Sequence, residues 1–140
     1  MEITTNSTQA TKKLAEQIAK KLNPGDVVAL YGDLGSGKTT FTNFLVKALG
    51  VSARVQSPTF VIARKYEDSE SKISVNHLDL YRITSPEELE DLGFTELFQE
   101  EDSITIIEWP ELIESHLPKK TLKIKFEDTG ETSRKIYVQD

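Results

Sequence analysis

The sequence predicts an α/β fold: three layers, with a mixed, mostly parallel sheet between helices. Three observations carry that expectation. Continuous apolar or near-apolar runs near 27–31, 75–79 and 104–108 read as strands buried on both faces, the signature of a parallel sheet. Stretches with apolar residues at helical spacing lie between them, as crossover connections require. Alternating segments at 60–78 and 122–138 read as hairpins, which would add antiparallel strands and make the sheet mixed. The 140 residues suit one domain spanning 1–140.

The elements follow in order. Ser7 or Thr8 caps a first helix in which Ala10, Leu14, Ile18 and Leu22 recur every four residues. Asn23-Pro24-Gly25-Asp26 breaks it with turn chemistry. Val27-Val28-Ala29-Leu30-Tyr31 is the first buried strand, and a glycine-rich turn at 32–37 leads into a helix carrying Phe41, Phe44, Leu45 and Ala48. Gly50 stops that helix as a left-handed cap. Residues 51–58 connect to a strand at 60–66, a polar turn at 68–71 and a strand at 73–78. Ser85-Pro86-Glu87-Glu88 starts a short helix, with a cap, proline at the first position and acids at the positive end of the dipole. Ile104-Thr105-Ile106-Ile107-Glu108 is a buried strand ending in an acid, and 122–126 with 135–138 form the terminal hairpin.

Composition excludes several chemistries. With 17 basic against 23 acidic residues the net charge is −6, so the chain is not built to hold nucleic acid by phosphate neutralisation alone. There are no cysteines, which removes disulfides, thiolate metal sites and a thiol nucleophile. His77 and His116 are too few for a histidine-rich metal site. No apolar run approaches the roughly 20 residues of a membrane span, and Met1 to Asn6 lacks the pattern of a secretory signal. The expectation is a cytoplasmic protein without a membrane partner.

Gly32-Asp33-Leu34-Gly35-Ser36-Gly37-Lys38-Thr39 fits G-x-x-x-x-G-K-[ST], between a buried strand and an apolar-striped helix as that phosphate-binding loop requires. Backbone N–H groups that curl around phosphate oxygens need close approach and dihedrals that a Cβ obstructs. The helix that begins near Lys38 directs its positive end at the same anion. Lys38 is expected to reach the β- and γ-phosphates, Thr39 to ligate Mg²⁺, and Thr40 to donate near the α-phosphate. The fold thus narrows to a P-loop NTPase-like one.

Such an enzyme also needs an acid at the end of a neighbouring buried strand, to hold Mg²⁺ or to position water. Glu108 is the best placed and Asp79 the second. Trp109 reads most simply as core packing and His77 as a hydrogen-bonded structural histidine. Thr59 is either a nucleotide-sensing hydroxyl or a turn residue.

Gly32 to Thr40, then Ser57-Pro58-Thr59-Phe60, His77-Leu78-Asp79-Leu80-Tyr81-Arg82 and Ile107-Glu108-Trp109-Pro110 together closely resemble the bacterial TsaE (YjeE) family. The resemblance implies a small P-loop ATPase needed for threonylcarbamoyladenosine in tRNA. It would act with a TsaD–TsaB pair, its nucleotide cycle resetting or supporting that synthase, and would meet tRNA only through it. By position, the loop (Asp33, Gly35, Ser36, Gly37, Lys38, Thr39, Thr40) binds ATP, and Thr39 with Glu108 holds Mg²⁺. Lys38, Asp79 and Glu108 carry the catalysis. Thr59, Asp79, Tyr81, Arg82 and Trp109 fall in switch-like segments, and Thr8 and Arg134 border the adenosine. Asp33 stands where that family often has Glu.

The expected activity is Mg²⁺-dependent hydrolysis of ATP, slow without partners because no arginine finger lies beside the loop. A second reading is a nucleotide-gated docking module in which hydrolysis is incidental. A small-metabolite kinase is disfavoured by the lack of an Arg-rich lid, and a GTPase by the lack of N-K-x-D.

Overall fold

The computed structural model describes residues 2–33, 36–51, 63–67, 72–91, 96, 98–128 and 134–139. Strands β1 (Glu2–Thr5), β2 (Val27–Tyr31), β3 (Ala63–Tyr66), β4 (Ser74–Asp79), β5 (Ser103–Glu108), β6 (Leu122–Asp128) and β7 (Arg134–Gln139) form one seven-stranded sheet in the order β1-β7-β6-β2-β5-β4-β3. The central pairings β6–β2, β2–β5 and β5–β4 are parallel. The outer pairings β1–β7, β7–β6 and β4–β3 are antiparallel. The expected mixed sheet is therefore parallel through its four middle strands and antiparallel at both edges. Glu2–Thr5 was not anticipated as a strand: four residues at the chain's start are too short for a period to emerge, and their partner β7 lies at the other end of the chain.

Helices α1 (Thr8–Lys21) and α2 (Lys38–Ala48) pack on each other and on one face of the sheet. Ser7 caps α1, its Oγ accepting from the Ala10 N–H at 3.2 Å, and Lys20 and Lys21 sit at the negative end of the dipole. Leu14, Ala15 and Ile18 carry the buried stripe, with Ala10 and Leu22 half-buried at its ends. α2 ends in a Schellman motif: the Gly50 N–H donates to Lys47 O at 3.0 Å and Val51 N–H to Val46 O at 3.3 Å. Gly50 has φ +89°, and Val51 and Val46 are both buried, as that motif's apolar contact requires. Phe41 and Leu45 point inward, Phe44 is half-buried and Ala48 is exposed.

The larger core lies between these helices and the sheet, where Val28, Leu30, Ile106, Ile124 and Phe126 meet Phe41 and Leu45. Val27, Leu78, Ile107 and Ile113 form a smaller core on the opposite face. That face is covered by a run of 3₁₀ turns, Pro110–His116, with Trp109 and Leu112 packed against it. A short helix α3 (Pro86–Asp91) begins where the Ser-Pro-Glu-Glu signal placed it. Among the described residues no helix is long and apolar enough to cross a membrane.

Alternation along the middle strands assigns the two cores. Val28, Leu30 and Ile106 face the helices, whereas Val27 and Ile107 face the 3₁₀ layer. Ile106→Ala should therefore remove a fully buried side chain under both helices and lower unfolding free energy by about 2–5 kcal/mol, read from the urea midpoint at unchanged slope.

Candidate phosphate-binding site

Three parallel strands end together. Leu30 of β2 and Asp79 of β4 both pair in register with Glu108 of β5, so Gly32, Asp79 and Glu108 emerge at one edge of the sheet. The Leu80 N–H donates to Glu108 O at 3.1 Å and ties the end of β4 to the end of β5.

The loop after β2 closes tightly on itself. A Cβ at Gly32, where φ is +146°, would lie 2.7 Å from Ser36 Oγ and 2.9 Å from the Phe126 carbonyl oxygen. Only glycine fits there. Ser36 N–H donates to Asp33 O at 3.1 Å, and Arg134 Nε of β7 donates to Ser36 O at 3.1 Å while its Nη1 reaches Asp128 at 3.2 Å. Ser36 Oγ is buried without a hydrogen-bond partner among the described residues, an orphan of the kind that a ligand satisfies. Gly37, in the left-handed region, is the N-cap of α2 and supplies no side-chain cap to the first N–H groups of that helix.

Lys38, the first residue of α2, is buried. Its Nζ donates to Gly32 O at 2.5 Å and lies 3.7 Å from the centre of the Trp109 ring. Burial holds its amine below the usual lysine pKa, opposed by the carboxylates of Glu108, Glu111, Asp79 and Asp33. Trp109 itself sits at φ 59° and ψ 56°, a left-handed backbone that costs a bulky residue about 1–3 kcal/mol and tends to mark functional positions. The ring therefore does not fill the core, as the sequence suggested. It packs half-buried against the smaller core, with one face under the Lys38 ammonium and the Tyr81 ring 5.0 Å away.

Glu108 is buried and both its oxygens are engaged. Thr39 Oγ1 donates to Oε1 at 3.5 Å, and His77 Nε2 lies 2.6 Å from Oε2. Asp79 is half-buried; its Oδ1 accepts the Tyr81 N–H at 3.1 Å. Among the described residues no group of three or more His, Asp or Glu side chains forms a metal cluster. A hydroxyl beside a carboxylate is the pair of hard oxygen donors that suits Mg²⁺ when phosphates and water supply the remaining ligands.

A cavity of about 390 Å³ opens beside the loop. Thr5, Asn6, Ser7, Thr8 and Thr11 form one wall, Ser36, Gly37 and Thr40 the second, and Arg134 with Phe126 and Ile136 the third. The structure thus brings Thr8 and Arg134, distant in sequence, to the loop. On the other side of Gly32 a second depression of about 640 Å³ is lined by Asp33, Trp109, Glu111, Lys125, Glu127 and Asp128 among others. Arg82 is exposed on the turn after β4 and lines neither depression. Gly35, Thr59 and the 57–60 motif lie outside the described residues.

The cavity wall at Thr5, Asn6 and Ser7, the apolar Phe126 and Ile136, and the contact of His77 with Glu108 were missed in the sequence. For the wall no local signal existed once β1 had gone unread. For His77, its place two residues before Asp79 on one strand face was the available signal, but only the strand order reveals which acid it meets.

A profile described as "Threonylcarbamoyl adenosine biosynthesis protein TsaE" matches residues 5–136. The chain belongs to the TsaE family. TsaE of Bacillus subtilis is 41% identical over 128 residues, covering 91% of this chain and 78% of that protein. TsaE of Streptomyces coelicolor is 36% identical, covering 91% and 88%, and that of Treponema pallidum 32% identical, covering 99% of both. The crystal structure of Bacillus subtilis YdiB is similar with a TM-score of 0.78 and 34% identity, covering 97% of this chain and 82% of that one. The TsaE resemblance in the four motifs therefore extends along nearly the whole chain.

Gly32→Ala tests the closeness of the loop. The added methyl should cost about 1–3 kcal/mol, because the Phe126 backbone cannot yield as a flexible side chain would. Gly37→Ala meets nothing nearer than Arg134 Nε at 3.7 Å, so it should cost less; chemical denaturation of the two variants checks the order.

Proposed function

We propose that this TsaE protein is an Mg²⁺-dependent ATPase that serves the biosynthesis of threonylcarbamoyladenosine in tRNA by driving or resetting a TsaD–TsaB synthase. Family membership supports the pathway. One observation carries the activity: Thr39 Oγ1 and Glu108 Oε1 face each other at 3.5 Å beside a loop that only glycine can close and beside a buried lysine.

The chain's residues divide the work as follows. The amides after Gly32 and at the start of α2 hold the phosphate oxygens, with Ser36 Oγ as a further donor. Lys38 exchanges the Gly32 carbonyl and the Trp109 face for the β- and γ-phosphates, where its charge is worth more in the transition state. Thr39 and Glu108 would hold Mg²⁺, which would supply charge neutralisation to the phosphates. Both Glu108 oxygens are engaged, whereas only Asp79 Oδ1 carries a hydrogen bond among the described residues. Asp79 is thus the better candidate to orient the attacking water and take its proton as the β–γ bond breaks to give ADP and phosphate. The cavity walled by Thr8, Arg134 and Phe126 takes the nucleoside.

Calorimetry and phosphate release test the assignment. Lys38→Ala should weaken MgATP binding by about 10–100-fold, the worth of a charge-assisted contact. Asp79→Asn should keep binding within a few-fold and lower turnover by about 10²–10⁴-fold. Added TsaD–TsaB should raise wild-type turnover; equal rates with and without it would refute the proposed coupling. If Glu108→Ala binds ATP, hydrolyses none and still supports repeated rounds of tRNA modification, the docking-module reading replaces this one.

A further inference from the structure

His77 is fully buried on β4, in register with Ile106, two residues before Glu108 on the neighbouring strand. Its Nε2 lies 2.6 Å from Glu108 Oε2. A carboxylate only accepts, so Nε2 carries the hydrogen and donates. The other ring nitrogen, Nδ1, is buried and has no hydrogen-bond partner among the described residues. The ring also leans on Tyr66, with centroids 6.2 Å apart and planes inclined by 34°. The one polar bond of this imidazole is therefore spent on the carboxylate oxygen that faces away from Thr39. A side chain kept for packing alone would be better served here by leucine, because a buried polar ring with half its hydrogen-bonding capacity unmet costs free energy.

The consequence falls on Glu108. A glutamate has three rotatable bonds, and its useful oxygen, Oε1, must point at the Thr39 hydroxyl. Pinning Oε2 to a ring fixed in a central strand leaves Oε1 aimed at the metal position before any ligand arrives. Groups that hold a metal ligand from behind typically govern metal affinity by about 10–100-fold.

We propose that His77 is the positioning residue of the metal site, orienting the Glu108 carboxylate so that Mg²⁺ strengthens nucleotide binding. The inference rests on the phosphate-site reading above and assigns a role that reading left empty. It concerns one histidine and not the ATP contacts.

The test is calorimetry of the full chain with ADP, once in EDTA and once in Mg²⁺, on wild type, His77→Leu and His77→Gln. The glutamine amide nitrogen can reach the position of Nε2 and donate as it does. His77→Leu should bind metal-free ADP within about twofold of wild type while the gain conferred by Mg²⁺ falls by about 10–100-fold; His77→Gln should recover most of that gain. Any of three results overturns the proposal: that His77→Leu keeps the full Mg²⁺ gain; that it loses metal-free and Mg²⁺-bound affinity alike, which marks a residue needed for shape; or that His77→Gln loses as much of the gain as His77→Leu, so that the hydrogen bond is not what matters. Wild type that binds ADP no better with Mg²⁺ than without defeats the metal-site reading itself, and this inference with it, and is recognised without any variant.

Discussion

A buried carboxylate at the end of a central strand is the constraint around which the site is arranged. Glu108 is almost without solvent, between β2 and β4, and an ionised group there is tolerated only with strong hydrogen-bond partners. Its oxygens meet the His77 ring on β4 at 2.6 Å and, at the long end of hydrogen-bond distance, the Thr39 hydroxyl on α2 at 3.5 Å. These bonds join the helix that follows the glycine loop to β5, and β5 to β4. Sheet register does the rest, because Leu30, Glu108 and Asp79 stand side by side. Displacing Glu108 by one residue would turn its side chain to the 3₁₀ layer, away from α2 altogether.

The lysine is arranged by the same logic. An ammonium inside the fold needs acceptors, and Lys38 finds the Gly32 carbonyl and the Trp109 face. Both contacts are weaker than a pair of phosphate oxygens, so they hold the side chain in place without competing strongly with an anion. Trp109 can offer its face only because its backbone adopts the left-handed conformation just before Pro110. The strain at Trp109 and the burial of Lys38 are thus two parts of one arrangement. Tyr31 extends it: its hydroxyl donates to Glu114 at 3.0 Å, burial and that carboxylate push its pKa above the ordinary tyrosine value, and the end of β2 is fastened to the 3₁₀ layer.

Much of this was legible in the residues, for identifiable reasons. Val27–Tyr31 and Ser103–Glu108 are buried on both faces, so they read as apolar or near-apolar runs whatever their neighbours. The start of α2 and the Gly50 stop are local backbone chemistry, which sequence carries directly. Glu108 and Asp79 were singled out because a phosphate-binding loop of this type calls for an acid at the end of a neighbouring buried strand. What escaped depends on strand order. β1 exists only because β7 offers it an edge, and without β1 the cavity has no wall from Thr5 to Ser7. The place of the Trp109 ring under Lys38 escaped because the left-handed turn that puts it there has no glycine or asparagine to announce it.

The charge distribution explains why the loop can attract an anion although the chain carries a net −6. Screening confines surface fields to about 8 Å at physiological salt, so the local pattern outweighs the total. That pattern is lopsided about Gly32. On one side stand Arg134, the start of α2 and the hydroxyls of Thr5 to Thr11. On the other stand Asp33, Glu111, Glu127 and Asp128, with Lys125 the one base lining it among the described residues. Under the proposed function, this asymmetry favours a polyphosphate on the first side and disfavours it on the second. Arg134 bridges the two sides, donating to the Ser36 carbonyl and pairing with Asp128. Part of its charge is therefore already committed, whereas Lys38 has only the Gly32 carbonyl and the Trp109 face to exchange in the role proposed for it above.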